Sequence, residues 1–281
     1  MDLTRAVNWA ACAGMVCGAR HLMLTVRSVA KACVVKVLGS ERRPRTILRG
    51  PAFGYRFCLS PADNLAYLLG TAEPHLQRII EQYVAPGDTA YDIGANMGYV
   101  SLSLAKKVRA AGSVIAFEPL PENLQLLRQN VTINDLMNVR ILDCAASDYC
   151  GEAVIRVAEN TATASLVWHK DVPTAKQTKI KVVAIDELTA QQLIPPPTFV
   201  KIDVEGSEGA VLSGMRRTLA RSKPVIFVEC SELGRQRAWS LLNELGYQCQ
   251  SAITRLPIGS LEQYRHSDFL WLPADRPTRR S

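Results

Sequence analysis

The sequence predicts an α/β domain built on a mostly parallel, doubly wound sheet, with an inserted hairpin or loop and an N-terminal helical extension. Three observations point there. From about residue 75, short apolar runs alternate with stretches whose apolar residues recur at helical spacing, as in a parallel sheet covered on both faces. Two of those runs, Phe199 to Asp203 and Val225 to Glu229, end in a carboxylate, and strand ends are where such sheets bind ligands. The 281 residues are 48% hydrophobic and 21% charged, enough to bury a sizeable core and too apolar for a disordered chain.

The first forty residues stand apart. Ala6 to Ala19 holds 14 residues without a charge, short of the roughly 18 to 20 that span a bilayer. It contains no Leu, Ile or Phe, and Asp2 dilutes the positive start, so a secretion leader is not expected. Residues 20–38 read as an amphipathic helix. Arg20, Arg27 and Lys31 share one side, with Leu22, Val26, Val29, Cys33 and Val37 opposite, and Lys36 falls on the apolar side, where the pattern weakens. Such a helix either lies peripherally on an anionic membrane or packs against the domain. Arg42-Arg43-Pro44-Arg45 then reads as a linker. The expected division is an extension over residues 1–60, one domain over 61–275 and a basic tail over 276–281.

Within the domain, Glu73 to Val84 carries Leu76, Ile79, Ile80 and Tyr83 at helical spacing. Pro86-Gly87-Asp88 is a turn. A strand from Thr89 to Ile93, a helix from Tyr99 to Val108, a strand from Val114 to Glu118 and a helix from Pro121 to about Ile133 follow. Asn138 to Ala146 reads as a third strand. Ala153 to Val157 and Lys179 to Ala184 are strand-like with no helix between them, and Asn160 to Ala175 reads as an inserted loop or lid. Helices from Glu208 to Ala220 and Arg235 to Leu245 follow the two carboxylate-ended strands, and Tyr247 to Ser251 and Phe269 to Leu272 close the sheet.

Composition narrows the function. Lysines and arginines number 33 against 26 acids, a net +7. Aromatics are 6% and do not interleave with basic residues, so a nucleic-acid partner is not expected. The eight cysteines include no C-x-x-C pair; they suit buried, reduced thiols in a cytoplasmic setting rather than zinc.

The strand ends carry the chemistry. The first strand runs into Asp92-Ile93-Gly94-Ala95-Asn96-Met97-Gly98. A dinucleotide fingerprint would need glycine at 96 and 99, where Asn96 and Tyr99 stand. Bound pyrophosphate, and with it an NAD-linked oxidoreductase, is disfavoured. Asp92 at the turn suits a cationic ligand. Glu118, 26 residues later at the end of the second strand, can accept both hydroxyls of a ribose. A ribose site without a phosphate site fits S-adenosylmethionine.

These motifs resemble those of FkbM-type methyltransferases. Tyr91 to Tyr99 with Ser101, Phe117 to Asn123, Ala146-Ser147-Asp148 with Gly151, and Lys201-Ile202-Asp203-Val204-Glu205-Gly206-Ser207-Glu208 occur in the family's order. The resemblance covers roughly residues 75 to 272. It implies a Rossmann-like class I fold and transfer of a methyl group from S-adenosylmethionine to a hydroxyl of a sugar, glycolipid or secondary metabolite. It implies that Asp92, Gly94, Asn96 and Gly98 line the methionine side, that Glu118 holds the ribose, and that Ser147 and Asp148 sit near adenine. The loop Glu159 to Leu166 departs from the family's Gly-rich pattern. A non-catalytic binding module at a membrane surface is the alternative.

Methylation of a hydroxyl releases a proton. Asp203 and Glu229 are the expected acceptors, with His169 in the inserted loop as a third candidate. Asp203, Glu205 and Glu229 are also the oxygens that a divalent metal would use, while Glu205 and Glu208 suit helix capping.

Overall fold

The computed structural model describes residues 41–60, 65–157, 164–165 and 176–274. The expected helix over 20–38, the tail from 275 and most of the loop between Asn160 and Ala175 lie outside the described residues.

The described chain begins with a hairpin of β1 (Arg43–Thr46) and β2 (Arg56–Leu59). The expected linker is therefore a strand. Pro44 is tolerated because a two-stranded ribbon is all edge. Burial of Ile47, Phe57 and Leu59 against Tyr99 and Leu102 anchors the hairpin to the domain.

Next come α1 (Ala66–Leu69), α2 (Pro74–Tyr83), β3 (Thr89–Ile93), α3 (Tyr99–Val108), β4 (Ser113–Phe117), α4 (Pro121–Thr132) and β5 (Val139–Leu142). From β3 to β5 strand and helix alternate as predicted. The expected third strand, Asn138 to Ala146, divides. β5 stays in the central sheet, and β6 (Ala145–Ser147) joins a second sheet with β7 (Gly151–Val157), β8 (Ala164–Ser165) and β9 (Lys176–Ala184). The antiparallel β7–β9 pair is the inserted hairpin.

After α5 (Ile185–Ala190) come β10 (Phe199–Ile202), α6 (Glu208–Gly214), α7 (Arg216–Ser222), β11 (Val225–Glu229), α8 (Glu232–Glu244), β12 (Tyr247–Ser251) and β13 (Asp268–Pro273). The single helix expected from Glu208 to Ala220 is broken at Met215. Asp186 is the physical reason: its carboxylate accepts the backbone N–H groups of Arg217 and Thr218 at 2.9 and 2.7 Å. These are orphan donors that start a new helix.

The central sheet has the order β12-β13-β11-β10-β3-β4-β5. β13 is antiparallel to both its neighbours, and the other pairings are parallel. All four residues of β10 are buried, as the middle strand of a sheet covered on both faces requires. The chain runs outward from β3 to β5 and returns across β3 to β10. A crevice therefore opens between the carboxyl ends of β3 and β10, where the strand order reverses.

Gly214 sets how closely α6 approaches β6, since an added Cβ would overlap the Ser147 carbonyl oxygen. Backbone cannot yield as a flexible side chain can. Gly214→Ala is expected to cost about 3 kcal/mol, read as a lower urea midpoint with unchanged slope.

Candidate active site

The site grows from the turn after β3. The N–H groups of Gly94 and Ala95 donate to the Phe117 carbonyl at 3.0 and 2.9 Å, tying the turn to the end of β4. Gly94 has φ +78°, and a Cβ there would overlap the Asp203 carbonyl oxygen. Glycine is thus required twice, for the turn and for the approach of β10. Asn96 follows at φ 51°, and its N–H donates to Glu118 Oε2 at 2.8 Å. Glu118 Oε1 accepts from Leu120 N–H at 2.9 Å and from the Asn123 amide at 3.3 Å. These donors fix the carboxylate at the lip of β4. Burial pushes its pKa up while the hydrogen bonds from Leu120, Asn96 and Asn123 pull it down.

Asp92 is fully buried. Its Oδ2 accepts from Ser101 Oγ at 2.5 Å, and its Oδ1 faces Lys201 Nζ at 3.4 Å. Lys201 also meets Asp203 Oδ2 at 3.3 Å and donates to the Gly94 carbonyl at 2.7 Å. Burial alone would lower the lysine's pKa, but the Asp203 and Asp92 carboxylates hold it above the usual value. One buried ammonium therefore ties β3, its turn and β10 together.

The crevice holds a cavity of about 320 Å³, lined by Gly94, Asn96, Phe117, Glu118, Asn123 and Ala146 on the β3–β4 side. Tyr67, Glu73, Asp203, Glu205 and Glu229 close the other side. An adjoining recess reaches Met97, Tyr99 and Lys201. Five carboxylates thus face one space, and Lys201 is the cation among the described residues lining it. Glu229 shows the effect. Burial first, then Asp203, Asp268, Glu73 and Glu205, push its pKa up to about 8. Burial and Asp203 also raise Glu73 and Glu205. Glu73, Asn96 and Glu205 all adopt left-handed backbone, at φ 51°, 51° and 50°. Five other non-glycine residues adopt positive φ away from the cavity, so this backbone conformation by itself does not mark the site.

The sequence-predicted residues divide accordingly. Gly94, Asn96, Glu118, Asp203, Glu205 and Glu229 converge on the cavity. Asp92 does not line it; it acts from behind, through Lys201 and Ser101. Gly98 does not line it either, and its missing Cβ leaves room for Leu127. Ser147 is buried, and Asp148 is turned to Arg237 at 2.8 Å, while Ala145 and Ala146 supply the lining there. Glu208 accepts from Gly206 N–H at 2.7 Å, in the turn ahead of its helix, and makes no capping hydrogen bond to that helix. His169 lies outside the described residues. Among the described residues, no group of three or more His, Cys, Asp or Glu side chains is arranged to hold a metal ion.

Three contributors escaped the sequence reading. Lys201 had a signal, a lone cation inside the apolar run Phe199 to Ile202. Glu73 precedes Pro74 at the start of α2, where an acid reads as an ordinary helix start. Tyr67 had no signal at all.

The profile of the Methyltransferase FkbM domain matches residues 92–249, more than half of the chain. The chain belongs to the FkbM methyltransferase family. Its fold is the Rossmann-like, class I fold that the sequence resemblance implies. Two relatives are similar over part of their length. The hexuronic acid methyltransferase AglP of Haloferax volcanii is 30% identical over 150 residues, covering 52% of this chain and 58% of AglP. The 31-O-demethyl-FK506 methyltransferase FkbM of Streptomyces tacrolimicus is 29% identical over 161 residues, covering 46% of this chain and 60% of that one. The matches thus span less than two thirds of either relative. Among solved structures, the methyltransferase FkbM of Methylobacillus flagellatus KT aligns at 23% identity and TM-score 0.42, covering 74% of this chain and 52% of that one.

Proposed function

We propose that this FkbM family member is an S-adenosylmethionine-dependent O-methyltransferase acting on a hydroxyl of a sugar, glycolipid or secondary metabolite. The observation that carries this reading is the charge of the crevice. A cavity at the switch point is lined by five acidic side chains; Glu229, raised to about 8, is protonated at neutral pH and ionises when a cation binds beside it, so the site favours a cation over a pyrophosphate. S-adenosylmethionine bears a sulfonium and an α-ammonium, and when bound it supplies the methyl group. Glu118, held by three donors at the end of β4, supports a ribose site, since a carboxylate accepts from both ribose hydroxyls. The apolar side chains of Phe117, Leu120, Ala146 and Ile155 offer a face for a purine. The relatives' names, a hexuronic acid methyltransferase and an O-demethyl-FK506 methyltransferase, support an oxygen-rich acceptor.

The protein must also place the acceptor oxygen about 3 to 3.5 Å from the methyl carbon, in line with the breaking bond, and receive its proton. Full prior ionisation of an alcohol, whose pKa is close to water's ~15.7, by an ordinary Asp near ~3.9 would cost about 16 kcal/mol. With the Glu229 carboxyl raised to about 8, the gap is still roughly 10 kcal/mol. Proton removal therefore accompanies methyl transfer rather than preceding it. Glu229 receives the proton, and Asp203, pinned by Lys201, orients the hydroxyl.

Calorimetry tests the cofactor reading. The unaltered protein is expected to bind S-adenosylmethionine saturably. Glu118→Ala is expected to weaken it by about tenfold to a hundredfold, as for lost hydrogen bonds to a charged group. No binding by the unaltered protein ends the proposal. Cofactor binding without methylation of any acceptor in a broad hydroxyl panel favours the non-catalytic module.

A further inference from the structure

We propose that the tip of the β1–β2 hairpin is a docking face for an anionic lipid surface. Eight large apolar side chains are strongly exposed among the described residues, and three of them gather here. Leu48 and Phe53 are 53% and 57% exposed on the hairpin turn, and Leu69 is 48% exposed beside it. Their adjacency is built in. Gly54 N–H donates to the Ile47 carbonyl and Phe53 N–H to the Gly50 carbonyl, closing the turn. Leu48 N–H donates to the Leu68 carbonyl at 2.9 Å, and Gly70 packs on the Arg49 backbone, laying the end of α1 alongside the turn. Single exposed apolar residues need no explanation, but a contiguous group rimmed by charge marks an interaction site.

The surrounding charge is mostly basic. Residues 42–62 include Arg42, Arg43, Arg45, Arg49 and Arg56 and no acid, although Glu41, just before them, pairs with Arg43 at 2.6 Å. Lys106 of α3 sits over the Phe53 and Tyr55 rings at 5.5 and 5.2 Å from their centres. Apolar side chains at the centre and cations around them match the two components of an anionic bilayer surface, acyl chains below and charged headgroups above. The sequence before the hairpin has the same charge. Residues 20–38 include Arg20, Arg27, Lys31 and Lys36 and no acid. Like charge discourages that segment from covering an arginine-rich face, while one anionic surface attracts both. α1 links the face to the site: Tyr67 lines the cavity and Leu69, two residues on, lies on the docking face.

The test is co-sedimentation of the full chain with vesicles of phosphatidylcholine containing about 30 mol% phosphatidylglycerol, at low salt, where surface electrostatics are strongest. Binding is expected to these vesicles and not to pure phosphatidylcholine. L48S/F53S is expected to weaken it about tenfold by removing the inserted side chains, and R49Q/R56Q about thirtyfold, at roughly one decade or less per cation. Leu256→Ser, an exposed residue on another loop, is expected to change nothing. No binding to anionic vesicles, equal binding to neutral ones, or unchanged binding by both double variants overturns the proposal. If L48S/F53S instead leaves vesicle binding intact and opens residues 1–40 to protease, the chain's own segment covers the face. A shift from dimer to monomer in that variant assigns the face to a second copy. Either outcome replaces the lipid.

Discussion

Lys201→Met is expected to destabilise the protein by about 3 to 5 kcal/mol, because removing one partner of a buried pair leaves an uncompensated charge. The size follows from where the ammonium sits. Asp92 is 0% exposed and Lys201 4%, so water cannot replace the lost partner. The lysine also donates to the Gly94 carbonyl at 2.7 Å, and methionine leaves that oxygen unmet beside the turn. Urea denaturation reads the stability loss, and calorimetry reads the consequence for S-adenosylmethionine, whose affinity is expected to fall because the Gly94 turn and Asp203 lose their shared anchor. The double variant D92N/K201M separates charge from packing. Neutralising Asp92 removes the stranded anion and is expected to recover about 2 kcal/mol. A K201M protein as stable as the unaltered one, or a double variant no better than K201M, means the lysine is not what holds the strands together.

Glu229→Gln is expected to lower kcat by about a hundredfold to ten-thousandfold, the range for a lost general base, with only a small change in cofactor affinity. The pH profile separates this role from a structural one. The free protein's Glu229 has its pKa raised to about 8, so the residue is protonated at neutral pH and gains base character as pH rises. Activity is expected to climb with pH, and because a bound cation favours the carboxylate, the inflection in the loaded enzyme falls below 8. The Gln variant lacks that limb. The same shift predicts a stability effect with a definite sign. Glu229 holds its proton more tightly folded than unfolded, so its contribution is complete below the ordinary glutamate value of 4.5 and is lost as pH rises toward about 8. The Gln variant is expected to lose that slope between those limits. Full activity in the variant across the pH range transfers the role to Asp203.

The elements of the domain were legible in the sequence because their periodicity reports local burial. Leu76, Ile79 and Ile80 face the core from α2, and each strand from β3 to β5 emerged where an apolar run stood. The errors share one cause. Arg43 to Thr46 became a strand because β2, arriving later in the chain, gave it a partner. Asn138 to Ala146 divided because its last residues pair with β9, some 37 residues further on. The helix from Glu208 broke because Asp186, on α5, capped its second half. None of these partners can be read within a window of one helix or strand.

For the candidate site the same line separates two kinds of information. The turn from Asp92 to Gly98, the acid at 118 and the Asp203-Glu205 pair are short-range patterns, and the sequence alone established them together with the family resemblance they carry. Tertiary structure decided what each residue faces. It withdrew Asp92 from the cavity and tied it to Lys201, 109 positions away. It turned Asp148 to Arg237, and it brought Tyr67 and Glu73 from outside the alternating core to complete the wall. The physical reason is that a residue's type and spacing determine which charges and turns the chain has, whereas burial, ion pairing and pKa depend on neighbours that only the packing of distant strands supplies.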